Sequence, residues 1–362
     1  MKVAFPHMGL VWVGMRAMFE ELNVDYVIPP LNSSHTLSLG MKYAPEGLCI
    51  PFKLTLGNFV EALELGADTL LQAGGAGICR LGRYARTQEG VLRDQGYDFQ
   101  MITLGVSDRK FRGLMGLFKS VSGDASWSRI ISAFRFGIAK FYALDEMERA
   151  VQRVRAIERV KGTATSVFRQ GINAVDEAGS YKALKQAKAE YQEKLATIPI
   201  DPEAQPLLVG VTGEFYVVLE PFTNLDVEIE LGKLGVEVHR STFISKWTRF
   251  SFLNPFHQDE NKAIHRAAMP YLSRDVGGDG WETVGEKVYH SSHYDGMVHL
   301  APFTCLPEIV AQNIMPATRE QLPVLTIICD EQTAKPGLIT RLEAFTDLLR
   351  YRQGRKASAA CR

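Results

Sequence analysis

The sequence predicts an α/β protein with two parallel-sheet units separated by a helical region. Short apolar runs alternate with amphipathic stretches in residues 1–105 and again in residues 206–362, which is typical of β-α-β units. Between them, residues 106–205 carry long mixed-charge stretches of helical character. We therefore interpret residues 1–105 as a flavodoxin-like or Rossmann-like unit, 106–205 as a helical insert and linker, and 206–362 as a second such unit.

The first unit opens with a strand, a helix and a second strand. Its predicted strands are Lys2–Pro6, Asp25–Ile28, Thr69–Gln72 and Phe99–Thr103, and its predicted helices are Gly9–Leu22, Pro51–Leu65 and Tyr84–Gln95. Pro51 suits the first turn of its helix, where the missing N–H costs nothing. The pattern favours parallel strands connected by helices.

The second unit repeats this alternation after a linker at Ile198–Pro202. Its predicted strands are Leu207–Thr212, Gly235–His239, Met297–Ala301 and Pro323–Cys329, and its predicted helices include Asn224–Leu234 and Thr340–Arg350. Aromatic residues of the helical region are expected to pack it onto its neighbours or to cover a pocket; they are Phe111, Phe118, Trp127, Phe134, Phe136 and Phe141.

Composition limits the classes of partner and compartment. The 362 residues include 41 basic and 41 acidic side chains, so no net charge draws the chain to nucleic acid or to an anionic membrane. The first residues, Met1–Pro6, resemble a strand and lack the features of a signal peptide, and no apolar run approaches the roughly 18 residues that span a bilayer. We expect a cytoplasmic protein. Five cysteines, an odd number, argue against a disulfide framework.

Three cysteines occupy positions suited to binding chemistry. Cys305 lies where an apolar strand gives way to a helix, Cys49 lies just before the helix that Pro51 opens, and Cys79 follows the glycine-rich run from Ala73. Helix N-termini stabilise thiolates, and soft thiolates select zinc or iron–sulfur centres. If the two units face one another, the three thiols can converge. Packing as small apolar side chains is the alternative, and we expect it for Cys329, whereas Cys361 in the tail has no assigned role.

The segments around these cysteines resemble the 2-hydroxyacyl-CoA dehydratase component-D superfamily, and most closely its activase-related, CoA-protein-activase-like branch. The similar segments are Asp295–Glu308, Asp330–Thr333, Thr340–Phe345, Leu48–Lys53 and Gly213–Glu214 with Asn224. The likeness covers both α/β units, and its most specific part surrounds Cys305.

The resemblance implies an oxygen-sensitive [4Fe-4S] cluster bound by Cys49, Cys79 and Cys305. It also implies an ATP-dependent activase of the actin/Hsp70-like fold that supplies low-potential electrons, and a related cluster-bearing subunit or a homodimer. The activity implied is that of a 2-hydroxyacyl-CoA dehydratase-like lyase or a low-potential reductase component acting on another hard-to-reduce substrate. Non-catalytic electron transfer, a scaffold role and a zinc or thiol protein remain alternatives. The sequence contains no activase phosphate motif and no P-loop, so ATP is expected to bind the partner.

Acidic and histidine side chains near the strand ends are candidates for proton transfer. Glu214 and Glu308 each follow a strand and are expected to cap a helix, with proton transfer as the alternative. His7 is a candidate proton donor or fourth ligand, although a loop role is favoured. His299 is expected to be a core histidine bonded to backbone. Lys53 is expected at the surface, with charge compensation near Cys49 as the alternative.

Overall fold

The predicted fold class is confirmed: the protein contains two four-stranded sheets, and all strand pairs in both are parallel. The structure is a computed structural model and describes residues 1–74, 79–105, 116, 118–247 and 256–360. Most of the glycine-rich run before Cys79, together with Phe111 and Cys361, lies outside these residues. The chain divides into two compact units, Met1–Phe141 and Tyr142–Arg362.

The first sheet has the order β2-β1-β3-β4. Its strands are β1 (Val3–Ala4), β2 (Tyr26–Val27), β3 (Thr69–Gly74) and β4 (Gln100–Gly105), and its helices are α1 (Val11–Leu22), α2 (Ser34–Tyr43), α3 (Ile50–Glu64) and α4 (Leu81–Asp94). The sequence analysis missed α2. This helix begins with a capping box, in which Ser33 and Thr36 each accept a hydrogen bond from the other's backbone N–H.

The helical region contains α5 (Trp127–Ile157), α6 (Thr163–Glu177) and α7 (Tyr181–Ala196). The division between the two compact units falls within α5, so this region contributes to both. Its expected aromatic packing is found at Phe118, Phe134 and Phe141, which are buried, and the Phe118 ring lies 6.2 Å from that of Phe19 in α1. Trp127 is exposed instead.

The second sheet has the order β6-β5-β7-β8, which repeats the connectivity of the first. Its strands are β5 (Leu207–Gly213), β6 (Val236–Arg240), β7 (Gly296–Pro302) and β8 (Val324–Cys329). The helices that follow β5 are α8 (Phe215–Leu219), α9 (Pro221–Asn224), α10 (Val227–Lys233), α11 (Ile244–Trp247), α12 (Phe256–Ala268), α13 (Gly280–Tyr289), α14 (Leu306–Ile314) and α15 (Lys335–Ala360), with a short 3-10 helix at Met315–Ala317.

The helix predicted over Asn224–Leu234 is confirmed for Val227–Lys233, but it begins three residues later than predicted. The chain forms α9 and α10 there, because Leu225 and Asp226 between them adopt left-handed backbone with φ of 56° and 60°. These angles interrupt a right-handed helix. None of the helices among the described residues combines the length and the apolar composition needed to cross a lipid bilayer.

The junction of β5 and β7 depends on a glycine. Gly213 pairs with Leu300 in the parallel register and has a φ of 136°, which L side chains rarely adopt. A Cβ at this position would lie 1.9 Å from the carbonyl oxygen of Leu300. Only glycine lets the end of β5 approach β7 this closely.

Gly213→Ala should lower the free energy of unfolding of the second unit by roughly 2–4 kcal/mol, because the new methyl group meets backbone that cannot move aside. Denaturant titration followed by circular dichroism measures this. Gly337→Ala in α15 is the matched control, since a Cβ there meets nothing within 4 Å. Equal stability of the two variants would contradict the assignment.

Candidate functional site

Both sheets share a position where ligands commonly bind. In a doubly wound sheet, the crevice lies at the carboxyl ends of the two strands from which the chain proceeds in opposite directions. These are β1 and β3 in the first unit and β5 and β7 in the second. After these strands come His7 and Cys79 in the first unit, and Glu214 and Cys305 in the second. Four of the residues predicted from sequence therefore follow the equivalent strands.

Cys49 occupies the N-cap of α3, with Pro51 in the first turn as predicted. Its side chain is buried, and its Sγ lies 2.7 Å from the Tyr84 hydroxyl oxygen in α4. The Cys49 carbonyl accepts the backbone N–H of Phe52 at 3.0 Å, so the cysteine is part of the helix start.

Cys79 lies next to the N-cap of α4 and is half-buried. The following residue, Arg80, donates from Nη1 to the carbonyl oxygen of Gly47 at 2.9 Å. Gly47 lies just before Cys49, and the Cys49 thiol in turn contacts Tyr84 of α4. The structure therefore brings the Cys49 and Cys79 segments of the first unit together.

A ladder of buried amides holds α4 against α3 and β3. Gln88 Nε2 donates to Thr55 Oγ1 at 2.8 Å, and Gln72 Nε2 donates to Gln88 Oε1 at 2.6 Å. Gln72 Oε1 accepts the Ala73 backbone N–H at 3.0 Å. Unpaired buried amides are costly, so these bonds fix the relative positions of the elements that bear Cys49 and Cys79. Sequence reasoning missed them because single glutamines within a strand and a helix give no periodic signal.

His7 is 2 % exposed and fulfils the loop role that was favoured for it. Its Nε2 donates to the carbonyl of Pro29 at 2.6 Å, and its backbone N–H donates to Asn58 Oδ1 at 3.0 Å. Burial lowers the pKa of His7, although the bond to Pro29 raises it in part. The ring is therefore neutral near pH 7, and its Nδ1 is buried without a hydrogen-bond partner among the described residues.

The expectation for Lys53 was wrong, because this side chain is buried rather than at the surface. It lies one turn into α3, near the Cys49 helix start. Lys53 therefore belongs to the interior of the first unit.

Cys305 is the N-cap of α14 and is half-buried. Its backbone N–H donates to the Pro302 carbonyl at 3.0 Å, which closes a tight turn through Thr304. Thr304 has a φ of 69°, a strained value for a β-branched residue. Large apolar side chains around the thiol are exposed, at Phe303, Leu306 and Ile309. Strain and exposed apolar side chains together favour a functional role for this turn.

Glu308 and His299 form a fully buried pair behind Cys305, and both are 0 % exposed. His299 Nε2 lies 2.8 Å from Glu308 Oε2, which also accepts the Thr283 hydroxyl at 3.0 Å. The expected capping role of Glu308 was therefore wrong, because its carboxylate points to side chains rather than to the helix start. His299 is a core residue as expected, but it bonds side chains, since its Nδ1 lies 3.3 Å from Thr326 Oγ1.

Two further carboxyl groups interact with this pair. Glu214 caps α8 as expected, with Oε2 accepting the Val217 N–H at 3.0 Å. Asp279 Oδ2 accepts the Phe215 N–H at 3.1 Å.

Burial raises the pKa of Glu214 to about 7, with a smaller contribution from Glu308. Burial, followed by the nearby carboxylates of Glu282, Glu308 and Glu214, raises the pKa of Asp279 well above its usual range. We call Glu214, Asp279, His299 and Glu308 the acid cluster.

Asp279 reaches this cluster because glycines flank it. A Cβ at Gly280 would lie 2.6 Å from the carbonyl oxygen of Pro307, in the first turn of α14. The glycine therefore lets α13 begin directly against the Cys305 helix. From the sequence alone, the run Gly277–Gly280 predicts only a break between elements, and nothing in it indicates the role of Asp279.

Thiolates are the donors that iron–sulfur centres select, and Cys49 and Cys305 are the N-caps of their helices while Cys79 lies next to the N-cap of α4. Among the described residues no cysteine forms a disulfide, and Cys329 is a packing residue as expected, because it is fully buried and burial raises its pKa to about 12. Among the described residues, no group of three or more histidine, cysteine, aspartate or glutamate side chains is arranged to hold a metal ion.

Comparison of the sequence with models of known protein families and with curated proteins finds no match. The candidate site is therefore characterised by its own geometry. Each unit has its own candidate region: the segments of Cys49 and Cys79 in the first unit, and the Cys305 turn with the acid cluster in the second.

The stability of the second unit should fall as the pH rises from about 4.5 to about 7. The folded protein holds the Glu214 proton with a pKa of about 7, above the ordinary 4.5, so its stabilising effect is complete below pH 4.5 and is lost as the pH rises through 7. The difference amounts to about 3 kcal/mol. Glu214→Gln should make stability depend less on pH. A part of the dependence should remain in this variant, because the pKa of Asp279 is also raised and it too makes stability fall as the pH rises.

Unfolding of wild type, Glu214→Gln and the exposed control Glu203→Gln at several pH values measures the effect. Glutamine retains an oxygen that can accept the Val217 N–H, so capping is preserved. Glu203→Gln should behave as wild type. An unchanged pH dependence in Glu214→Gln would contradict the raised pKa.

Proposed function

We propose that the protein is the [4Fe-4S] redox component of an ATP-dependent, activase-driven reductase or dehydratase system. Its substrate would be a 2-hydroxyacyl-CoA or another compound that is hard to reduce. The proposal rests on the resemblance of the segments around Cys49 and Cys305, and on the place of the thiols in the fold. Cys49, Cys79 and Cys305 are the proposed ligands.

One observation carries the proposal. Cys79 and Cys305 follow the third strand of two sheets with the same strand order, at the edge where parallel sheets bind ligands. Cys49 adds another helix N-terminus, and the Arg80–Gly47 bond holds its segment beside that of Cys79. Thiolates in such positions are stabilised by the helix dipole and by unpaired N–H groups. Thiols placed at or next to helix starts are therefore the proposed metal ligands.

When bound, the cluster would supply single electrons of low potential, which an activase of the actin/Hsp70-like fold would deliver. The chain's own residues would hold protons near Cys305. Burial raises the pKa of Glu214 to about 7 and the pKa of Asp279 well above its usual range, which favours their protonated forms, and Glu308 Oε2 accepts the Thr283 hydroxyl one turn into the Cys305 helix. Neutral carboxyl groups would limit the negative charge beside an anionic cluster, and they can release a proton when a leaving group requires one.

Anaerobic purification followed by measurement of iron, sulfide and zinc tests the proposal. Wild type should contain about four iron and four sulfide per protein chain, with brown absorbance that fades in air. Cys49→Ala, Cys79→Ala and Cys305→Ala should each lose the cluster, because each removes one ligand.

Cys329→Ala is the matched control and should retain the cluster, since Cys329 is a buried packing residue. A full cluster in any of the other three variants would remove that cysteine from the ligand set. Zinc, or no metal after reconstitution, would contradict the redox proposal and favour a zinc or thiol protein. Reduction by an activase without turnover of any acyl-CoA would favour an electron-transfer or scaffold subunit.

A further inference from the structure

The contact between Cys49 and Tyr84 links the two thiol segments of the first unit. The Cys49 Sγ and the Tyr84 hydroxyl oxygen lie 2.7 Å apart, and both side chains are buried, at 8 % and 5 % exposure. Tyr84 is in the first turns of α4, the helix that begins just after Cys79. A polar contact in this apolar setting is stronger than the same contact in water.

The direction of this hydrogen bond depends on the state of the sulfur. A thiol and a phenol can each donate, but a sulfur that binds metal carries no proton and can only accept. With Cys49 as a ligand, the Tyr84 O–H must therefore be the donor. Such a bond from a residue outside the ligand set orients the ligand and changes the electron density on its sulfur.

The surroundings hold the Tyr84 ring rigidly. Its plane is perpendicular to that of Phe52, at 90° with ring centroids 5.0 Å apart. One turn further along α4, Gln88 donates to Thr55 in α3. Because these contacts fix the ring on the same two helices that bear the thiol contact, the hydroxyl is preorganised to meet Cys49.

We propose that Tyr84 is a positioning residue for Cys49, whose O–H donates to the metal-bound sulfur, fixes its orientation and raises the reduction potential of the cluster. This inference rests on the proposed function. The hydrogen bond withdraws electron density from the sulfur, so it stabilises the reduced, more negatively charged state. No bond is formed or broken in this role, and the electron comes from the external reductant.

Tyr84→Phe tests the role, because it removes one oxygen atom and keeps the ring against Phe52. The full-length variant is reconstituted anaerobically, its fold is checked by circular dichroism, and its midpoint potential is measured by titration with dithionite. The potential should fall by up to about 59 mV, a tenfold change in the one-electron equilibrium. Loss of iron to a chelator should show an affinity roughly tenfold or more weaker than that of wild type.

Tyr97→Phe is the matched control, since Tyr97 is partly buried in the same apolar cluster of the first unit. It should leave the potential and the iron affinity unchanged. A folded Tyr84→Phe that holds no cluster, beside an intact Tyr97→Phe, would also support the role. Wild-type potential and iron affinity in Tyr84→Phe would overturn the inference and leave the proposed function standing. A wild-type protein without iron and sulfide would overturn both.

Discussion

The central position of β7 in the second sheet is the constraint on which the candidate site depends. This strand pairs with β5 on one side and with β8 on the other, and all seven of its residues are buried. A histidine at its centre can be accommodated only if the ring nitrogens find partners, because unpaired polar groups in the interior are costly. Glu308 and Thr326 supply these partners, and the last residues of the strand bring the chain directly to Cys305.

Buried polar contacts also determine the geometry of the first unit. Hydrogen bonds of Gln72, Gln88, Thr55 and Tyr84 connect β3, α3 and α4. Apolar packing alone would not fix the relative positions of these three elements. Apolar contacts are numerous but not directional, whereas hydrogen bonds require defined distances and angles. Each unit therefore has polar groups behind its cysteine-bearing helix starts, which hold the thiols in place before any ligand binds.

The two units differ in the charge they place near the thiols. In the first unit, the Cys49 thiol contacts the neutral Tyr84 phenol. The second places buried carboxyl groups behind Cys305, and burial shifts Glu214 and Asp279 toward their neutral forms. In the proposed function, the first arrangement would tune a metal-bound sulfur and the second would store protons. An anionic cluster beside ionised carboxylates would be unfavourable, so the raised pKa values and the proposed ligand are mutually consistent.

The sequence by itself determined the α/β class, the two series of strands, the placement of Cys49 and Cys305 at helix starts and the place of Cys79 after a strand, because apolar periodicity and proline or glycine signals act locally. It also gave the helix-capping role of Glu214. Tertiary structure alone decided the partners of Glu308, the arrival of Asp279 at the acid cluster, the burial of Lys53 and the contact of Tyr84 with Cys49. These depend on which elements lie side by side, and residues 35 positions apart, such as Cys49 and Tyr84, meet only because α3 and α4 pack together.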